Sequence, residues 1–295
     1  SCAACGTDAL RAGARAVSDP VLVAAAQMTS TEDVARNLDR AAALVRKAVS
    51  RGARLVVLPE NVAFLGAEDA KRAVAEGFDP GAEPDGPIGR CARDLSRETG
   101  AWVIWGGLPE RADGPRVYNA SVCVRPDGVV VARYRKVHLF DVSLPDGTVL
   151  TESRAVAPGD EAVVVETPVG VTGLTICYDV RFPELYRALV DRGATVLTVP
   201  AAFTVPTGRD HWHVLLRARA IESQCYVLAA AQWGAHGGGR TTYGHALVID
   251  PWGTVLADCA DGEGLAMAEV DAARTARIRA SLPSLQHRRS GLRHA

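Results

Sequence analysis

Short apolar runs alternate with segments of helical periodicity along most of the chain. Residues 21–26 form an apolar run of strand length, and the segment after it carries apolar side chains at helical spacing until Gly52. We expect Ser30 or Thr31 to cap this helix, because a hydroxyl oxygen can accept a hydrogen bond from a backbone N–H of the first turn. The pattern therefore predicts a strand followed by a helix.

The same alternation continues through the rest of the chain. Further predicted strands are 55–58, 102–105, 171–176, 194–199 and 226–229, and further predicted helices are 88–98, 184–192 and 210–223. One predicted hairpin joins strands 120–124 and 129–133, and another encloses the Asp-Pro-Trp-Gly turn at 250–253. Strands that alternate with helices imply an α/β fold with largely buried strands, and the hairpins make the sheet mixed.

The length and hydrophobicity of the chain suit one large domain. Of the 295 residues, 48% are hydrophobic, which is ample for a core. No stretch rich in Gly, Ser or Pro is long enough to separate two domains. We expect a poorly ordered N-terminal arm over residues 1–20, a single domain over 21–280 and a basic tail over 281–295.

Charge and cysteine content exclude several classes of partner. The formal net charge is -1, so neither a nucleic acid nor an anionic membrane surface is attracted to the chain as a whole. No apolar run reaches the about 18 residues that a membrane span needs, and the first residues lack the apolar centre of a secretory signal. The 7 cysteines, an odd number, indicate free thiols in a reducing compartment. We therefore expect a cytoplasmic protein.

Three chemically active side chains lie at or just after the ends of predicted strands. Glu60 follows Pro59, Lys136 follows a strand through Tyr134, and Cys177 follows the strand that ends at 176. In an α/β sheet, ligands collect at such strand ends. A thiol, a carboxylate and an ammonium together suffice for covalent acyl transfer. Taken singly, each residue also has a purely structural interpretation as a paired acid, a solvated amine or a core thiol.

The segments around these residues point to a family. Leu58-Pro59-Glu60-Asn61, the segment Tyr-Arg-Lys-Val-His-Leu-Phe at 134–140 and Leu-Thr-Ile-Cys-Tyr-Asp-Val-Arg-Phe-Pro-Glu at 174–184 resemble the three signature segments of the nitrilase superfamily of carbon–nitrogen hydrolases. They occur in that family's order, and the resemblance extends over residues 21–289. Together the three segments are highly specific.

The resemblance implies a fold and a catalytic apparatus. The fold would be a four-layer αββα sandwich, and the triad would be Glu60 as general base, Cys177 as nucleophile and Lys136. The oxyanion would be held by Lys136 and by the backbone N–H of Tyr178. A second glutamate often lines such sites, and Glu152 is the candidate here. The implied reaction hydrolyses a small linear amide through a Cys thioester and needs neither a metal nor a cofactor.

Other segments resemble one branch of the superfamily. These are residues 211–227, 243–245 and 250–254, and the branch is the one that contains deaminated glutathione amidase, which forms 2-oxoglutarate and Cys-Gly. The neighbouring omega-amidase acts on acids such as 2-oxoglutaramate. Both substrates carry a carboxylate, which Arg181 is placed to bind, and Phe203 and Thr207 are expected to complete that pocket. The alternative for Arg181 is an ion pair with Glu184 or Asp179. The resemblance also implies a homodimer or a larger homo-oligomer.

Several alternatives stay open or lose support. An omega-amidase or another carbon–nitrogen hydrolase, and a non-catalytic scaffold that keeps the fold, compete with the leading interpretation. A Cys–His peptidase is disfavoured, because no histidine has the context of a catalytic base. His211 and His213 do not share a helix face and are not expected to bind a metal together. The pair Cys2 and Cys5 is expected to be incidental. The remaining cysteines are expected to be small buried hydrophobic residues: Cys91, Cys123, Cys225 and Cys259.

Overall fold

The computed structural model describes residues 19–143 and 149–289, which form α-helices and β-strands in mixed order. The helices are α1 (Val34–Ser50), α2 (Pro87–Thr99), α3 (Pro183–Asp191), α4 (Val205–Ser223) and α5 (Ala272–Ser281). The strands of the first half are β1 (Val21–Met28), β2 (Leu55–Val57), β3 (Trp102–Arg111), β4 (Val117–Val124), β5 (Val130–Arg135), β6 (Asp141–Ser143) and β7 (Val149–Thr151). Those of the second half are β8 (Val163–Thr167), β9 (Gly170–Leu174), β10 (Val196–Thr198), β11 (Tyr226–Ala229), β12 (Ala231–Ala235), β13 (Thr241–Tyr243), β14 (Leu247–Ile249), β15 (Val255–Asp258) and β16 (Gly264–Val270).

Two large mixed sheets contain most of these strands. The first has the order β13-β12-β1-β2-β3-β4-β5, with β16 paired to β1, and the second has the order β15-β14-β11-β10-β9-β8. Within them β2 is parallel to β1 and β3, and β10 is parallel to β9 and β11. Both predicted hairpins are confirmed, because β4 pairs antiparallel with β5 and β14 with β15.

Alternation along the strands explains the layers. On β1, Val23 and Ala25 belong to a core cluster that they share with residues of the second sheet, whereas Ala24 and Ala26 pack with residues of α1 and α2. Successive side chains of a strand point to opposite faces, so the first sheet is covered by the second sheet on one face and by helices on the other. Helices α3 and α4 cover the outer face of the second sheet. The four-layer αββα sandwich is therefore confirmed.

Helix boundaries differ from the prediction at two places. The N-cap of α1 is Asp33, whose side chain accepts from the backbone N–H of Arg36, and not Ser30 or Thr31. Helix α4 begins at Val205 and not at 210, because Pro206 has the backbone geometry that suits a first helical turn. As a result Thr207 lies in the first turn of α4 and not in a loop.

Two elements near the C-terminus have no counterpart in the prediction. Strand β16 pairs with β1 along its whole length, and α5 is capped by the side chain of Asp271. Only Thr275 and Ile278 of α5 are buried, and Ile278 is the one large apolar residue in the helix. Its sequence therefore has little apolar periodicity from which a helix could be predicted. The described part of the basic tail contacts the domain, since Leu285 packs against the core and Arg288 pairs with Asp191.

Other predictions fall partly or wholly outside the described residues. The expected N-terminal arm and the Cys2 and Cys5 pair lie there, apart from residues 19 and 20. Among the residues that the structure does describe, no helix combines the length and the apolar character that crossing a membrane requires.

Candidate active site

The three side chains singled out in the sequence meet between the two sheets. Glu60 lies just beyond β2, Lys136 directly follows β5, and Cys177 opens a short 3₁₀ helix, Cys177–Arg181, beyond β9. The Nζ atom of Lys136 lies 2.9 Å from Glu60 Oε1 and 2.8 Å from Glu152 Oε2. These three side chains and that of Glu152 are at least nine-tenths buried. The structure thus brings together a thiol, an ammonium and two carboxylates.

Glu60 is held by donors from both sheets. Its Oε1 accepts from Asn119 Nδ2 at 3.0 Å, and its Oε2 accepts from the backbone N–H of Ala202 at 2.9 Å. Asn119 lies on β4 and also donates to Glu152 Oε1 at 3.2 Å. Sequence reasoning missed Asn119. The available signal was a polar residue inside the otherwise apolar strand pattern of β4.

A glycine permits the close approach of β3 to Glu60. Gly107 has a φ of 63°, and a Cβ there would lie 2.7 Å from Glu60 Cγ and 2.7 Å from the backbone N of Asn61. The N–H of Asn61 donates to the carbonyl of Gly107 at 3.0 Å. A side chain at this position would therefore displace the Glu60 backbone.

Cys177 occupies a constrained turn. Its φ is 48°, in the left-handed region, and its N–H donates to the carbonyl of Pro200 at 2.9 Å. Two residues on, the fully buried Asp179 accepts from the N–H of Ile176 at 2.9 Å and from the hydroxyl of Tyr134 at 2.7 Å. The same carboxylate accepts from the N–H of His138 at 3.1 Å. Asp179 therefore joins the Cys177 turn to the segment that carries Lys136.

Burial and neighbouring charges together shift the pKa values of Cys177, Glu152 and Lys136. Burial raises the pKa of the Cys177 thiol well above its ordinary value, and the Glu60 carboxylate raises it further, against the opposing effect of Lys136. Burial would also raise the pKa of Glu152, but the nearby Lys136 and Lys71 ammonium groups lower it to about 2. For Lys136, burial lowers the pKa, while the two carboxylates outweigh it and hold the pKa well above its usual range. At neutral pH the site therefore combines an ionised Lys136–Glu152 pair with a neutral thiol.

A narrow cavity gives access to these groups. Its walls include Glu60, Lys136, Glu152, Cys177, Phe140, Lys71, Glu68 and Arg240. A wider cavity of about 570 Å³ shares Glu68, Leu150 and Thr151 with the narrow one. Sequence reasoning missed the three charged residues Glu68, Lys71 and Arg240.

The expected carboxylate pocket is arranged differently from the prediction. Arg181 points to the Nδ1 of His211, 3.3 Å away, and its guanidinium lies 5.3 Å from the centre of the Phe203 ring. The hydroxyl groups of Thr207 and Thr204 form a hydrogen bond of 2.9 Å. Arg181, Phe203 and Thr207 are absent from the described walls of both cavities. Arg181 also has neither of the alternative ion pairs within the described residues, because Asp179 is engaged elsewhere and no contact to Glu184 is present there.

Tyr178 lies directly after Cys177 in the 3₁₀ helix. The N–H groups of its neighbours Cys177 and Asp179 donate to Pro200 and Ile176. The ring of Tyr178 packs edge-on against Phe140 at 4.9 Å, a residue of the narrow cavity wall. The turn thus presents the backbone of Tyr178 next to the thiol.

The donor set that best suits a metal lies elsewhere. His213 lies on α4, His245 just before β14 and Asp258 on β15. His213 Nε2 and His245 Nδ1 each lie 3.1 Å from the carboxylate of Asp258. Two imidazoles and a carboxylate can bind a transition metal, but their mutual hydrogen bonds also satisfy the three groups without one. His211 contacts Arg181 instead, so the two histidines of α4 do have separate partners.

The other cysteines differ in burial. Cys123 and Cys225 are fully buried, as expected for small hydrophobic residues, whereas Cys91 and Cys259 are half-buried. All four of these thiols, and that of Cys177, are free. Burial raises the pKa of each of the four, for example that of Cys91 to about 11.

Comparisons with known proteins identify the family and the relatives of this chain. The family model described as carbon-nitrogen hydrolase matches residues 22–280. A deaminated glutathione amidase from Synechocystis sp. is 47% identical over 273 residues, covering 91% of this chain and 98% of that protein. The human deaminated glutathione amidase is 45% identical over 277 residues, covering 92% of this chain and 83% of that protein. The crystal structure of the C. elegans NitFhit protein has a TM-score of 0.84 and 39% identity, covering 93% of this chain and 66% of that one.

Proposed function

The chain belongs to the carbon–nitrogen hydrolase family, and from this premise we propose that it hydrolyses deaminated glutathione to 2-oxoglutarate and Cys-Gly. It is an amidase, and relatives that bear the name deaminated glutathione amidase match it over more than nine-tenths of its length. The observation that carries the proposal is the buried cluster in which Lys136 Nζ lies 2.9 Å from Glu60 and 2.8 Å from Glu152, beside the thiol of Cys177. We propose Glu60, Lys136 and Cys177 as the catalytic triad.

Acylation begins with a neutral nucleophile. Because the pKa of the Cys177 thiol is raised, its proton passes to Glu60 as the sulfur bonds to the amide carbon. The developing oxyanion is stabilised by the ammonium of Lys136 and the backbone N–H of Tyr178. Glu60 then donates the same proton to the leaving nitrogen, the carbon–nitrogen bond breaks, and a thioester remains on Cys177.

Deacylation reuses the same groups. Glu60 takes a proton from a water molecule, whose oxygen bonds to the thioester carbon. The carbon–sulfur bond breaks, and the sulfur recovers the proton from Glu60. Atoms and protons balance in both steps without a metal or an organic cofactor, so we propose neither.

Glu152 acts in this scheme by holding Lys136. Its pKa is lowered to about 2 by the ammonium groups near it, so it stays ionised through the cycle. Its Oε2 also accepts from the N–H of Phe140 at 2.7 Å, which fixes the carboxylate in place. Lys136 therefore stays charged and oriented while the charge on Glu60 changes.

The two adjoining cavities suit an amide with a long leaving group. The narrow cavity reaches Cys177, and the wider one of about 570 Å³ has room for a dipeptide. Deaminated glutathione releases Cys-Gly, whereas 2-oxoglutaramate releases only ammonia. The wider cavity is the observation that favours the former substrate.

We also propose a homo-oligomer in the cytoplasm. Val214 and Ile221 on the outer face of α4 are 66% and 47% exposed, and Trp252 in the adjoining β14–β15 turn is 57% exposed. Arg217 of α4 donates to the carbonyl of Gly253 at 2.8 Å, so helix and turn form one surface. An exposed apolar surface of this kind is typical of a subunit interface. Free cysteines support a reducing compartment.

Side-by-side kinetics test the proposed substrate. We expect kcat/KM for deaminated glutathione to exceed that for 2-oxoglutaramate, and a Cys177→Ala variant to hydrolyse neither. Equal or better turnover of 2-oxoglutaramate would instead assign an omega-amidase. A wild-type protein that is inert towards a panel of linear amides would favour the non-catalytic scaffold.

A further inference from the structure

Two cations beside the catalytic groups take no direct part in the bond-breaking steps described above. Lys71 lies in the 3₁₀ helix Glu68–Val74, and Arg240 lies between β12 and β13. Both line the narrow cavity that reaches Cys177. The side chain of Lys71 is only 6% exposed. A lysine buried to this degree beside a reaction centre calls for an anionic partner.

The anionic partner present in the structure is a carboxylate. Glu68 Oε2 lies 2.7 Å from Lys71 Nζ, and Glu68 Oε1 lies 3.3 Å from a terminal nitrogen of Arg240. One carboxylate thus bridges the two cations within the cavity wall. The spacing of Lys71 and Arg240 is therefore already suited to binding a carboxylate through both of its oxygens.

This arrangement has spare binding capacity. The Nε of Arg240 is buried and has no hydrogen-bond partner among the described residues. Glu68 is 34% exposed and also lines the wider cavity, so its side chain has space to move towards solvent. Leaving the buried Lys71 without an anion would be costly, but exchange of one carboxylate for another keeps it paired. A ligand carboxylate can therefore replace Glu68 on the two cations.

We propose that Lys71 and Arg240 bind the carboxylate on the acyl side of the substrate, and that Glu68 occupies this subsite until the substrate displaces it. The inference rests on the proposed function and deepens it, since it identifies the acyl portion as an acid. In a 2-oxo acid amide only a few bonds separate the carboxylate from the amide carbon. The carboxylate must consequently lie in the same cavity as Cys177, where Lys71 and Arg240 are and Arg181 is not.

Charge explains why a displaceable anion is needed here. Without Glu68, the uncompensated charges of Lys71 and Arg240 would face each other in a largely buried site. With Glu68 in place one of these two positive charges is compensated in the free enzyme, and the substrate carboxylate compensates it instead when it binds. Glu68 thus competes with the substrate, whereas Lys71 and Arg240 attract it.

Because Glu68 competes with the substrate, its substitution should change ligand affinity in the opposite direction from substitution of Lys71 or Arg240. In an inert Cys177→Ser background, we would measure the binding of 2-oxoglutarate by calorimetry. We expect Lys71→Met and Arg240→Met each to weaken binding by about 10- to 100-fold, because a charge-assisted contact to the carboxylate is lost. Glu68→Gln should instead strengthen binding several-fold. Arg72→Met is the matched control, because Arg72 belongs to the same 3₁₀ helix but donates to Gly114 and should leave the affinity unchanged.

Steady-state kinetics of the same substitutions in the active enzyme, which retains Cys177, give a second, independent readout. Lys71→Met and Arg240→Met should raise KM for 2-oxoglutaramate and lower its kcat/KM at least about ten-fold more than that of butyramide, which has no carboxylate to bind. A purely structural ion pair would predict that Glu68→Gln weakens binding along with the other two variants, and that result would overturn the subsite. Equal losses on butyramide would overturn it as well. If wild type hydrolyses neither acid amide, the proposed function fails, while the calorimetry still decides whether the subsite binds a carboxylate.

Discussion

The backbone of Cys177 is the most constrained feature of the site at the scale of single residues. A non-glycine residue with a φ of 48° costs about 1–3 kcal/mol and persists only when its surroundings fix it. Here the carbonyl of Pro200 receives the Cys177 N–H, and Asp179 fixes the turn from the other side. The constraint aims the thiol at Glu60 and leaves the following N–H beside it, as an oxyanion donor requires.

The raised pKa of Cys177 makes a prediction about its reactivity with pH. A pKa above the ordinary value means that the thiolate fraction at pH 7–8 is smaller than that of a free cysteine. Alkylation by iodoacetamide should therefore be slow at neutral pH and keep rising beyond pH 9 without a plateau. The rate is measured by mass spectrometry of the Cys177 peptide, which separates it from the half-buried Cys91 and Cys259.

N-acetylcysteine and a Cys177→Ser variant are the controls for this profile. A plateau below pH 8 would show a preformed thiolate paired with Lys136. In that case Glu60 would not be needed to accept the thiol proton during acylation.

At the scale of elements, the site depends on how closely β3 approaches the end of β2. Gly107 and Gly114 both have left-handed φ values, 63° and 89°, but only at Gly107 would a Cβ contact Glu60. Gly114→Ala should destabilise the fold by about 1–2 kcal/mol through backbone strain, and Gly107→Ala by more, because its Cβ would also overlap backbone atoms of Glu60 and Asn61. Gly107→Ala should in addition lower kcat by about 100-fold, because it displaces the general base.

Comparing the two variants separates stability from catalysis. Urea denaturation gives the stability of each, and steady-state kinetics give kcat. Equal kcat values for Gly107→Ala and Gly114→Ala would mean that the position of Glu60 does not depend on this contact.

The elements also show what the sequence could predict. Glu60, Lys136 and Cys177 could be proposed from the sequence because each follows a predicted strand and lies within a specific local segment. Glu68 and Arg240 reach the site only through tertiary contacts, and nothing in their neighbours along the chain marks them. Strand β16 and helix α5 were missed for a related reason, since their burial comes from packing against β1 and the second sheet more than from a strong periodicity of their own.

At the scale of the whole molecule, α4 carries apolar residues on two opposite faces. Trp212 and Leu216 are fully buried against the second sheet, whereas Val214 and Ile221 are exposed on the opposite face. A helix with apolar residues on both faces is typical of a position between two packed layers. The outer face of α4 and the Trp252 turn are therefore the surface on which we expect a second copy of the chain to pack.

Charge introduced on this surface tests the oligomer. We expect the double variant Val214→Lys, Ile221→Lys to be monomeric, because burying two ammonium groups at an apolar interface is costly. Light scattering after gel filtration measures the mass. Val149→Lys is the control, since Val149 is equally exposed, at 68%, but lies outside this surface. A double variant with the mass of the wild type would place the interface elsewhere.

The central claim is that hydrolysis passes through a thioester on Cys177, and its most direct test is intact-protein mass spectrometry after acid quench during turnover of deaminated glutathione. We expect a mass increase equal to a 2-oxoglutaryl group, located on the Cys177 peptide and removed by hydroxylamine. Cys177→Ala should form no adduct and no product. Product formation by Cys177→Ala at a rate near that of wild type would rule out the thioester mechanism.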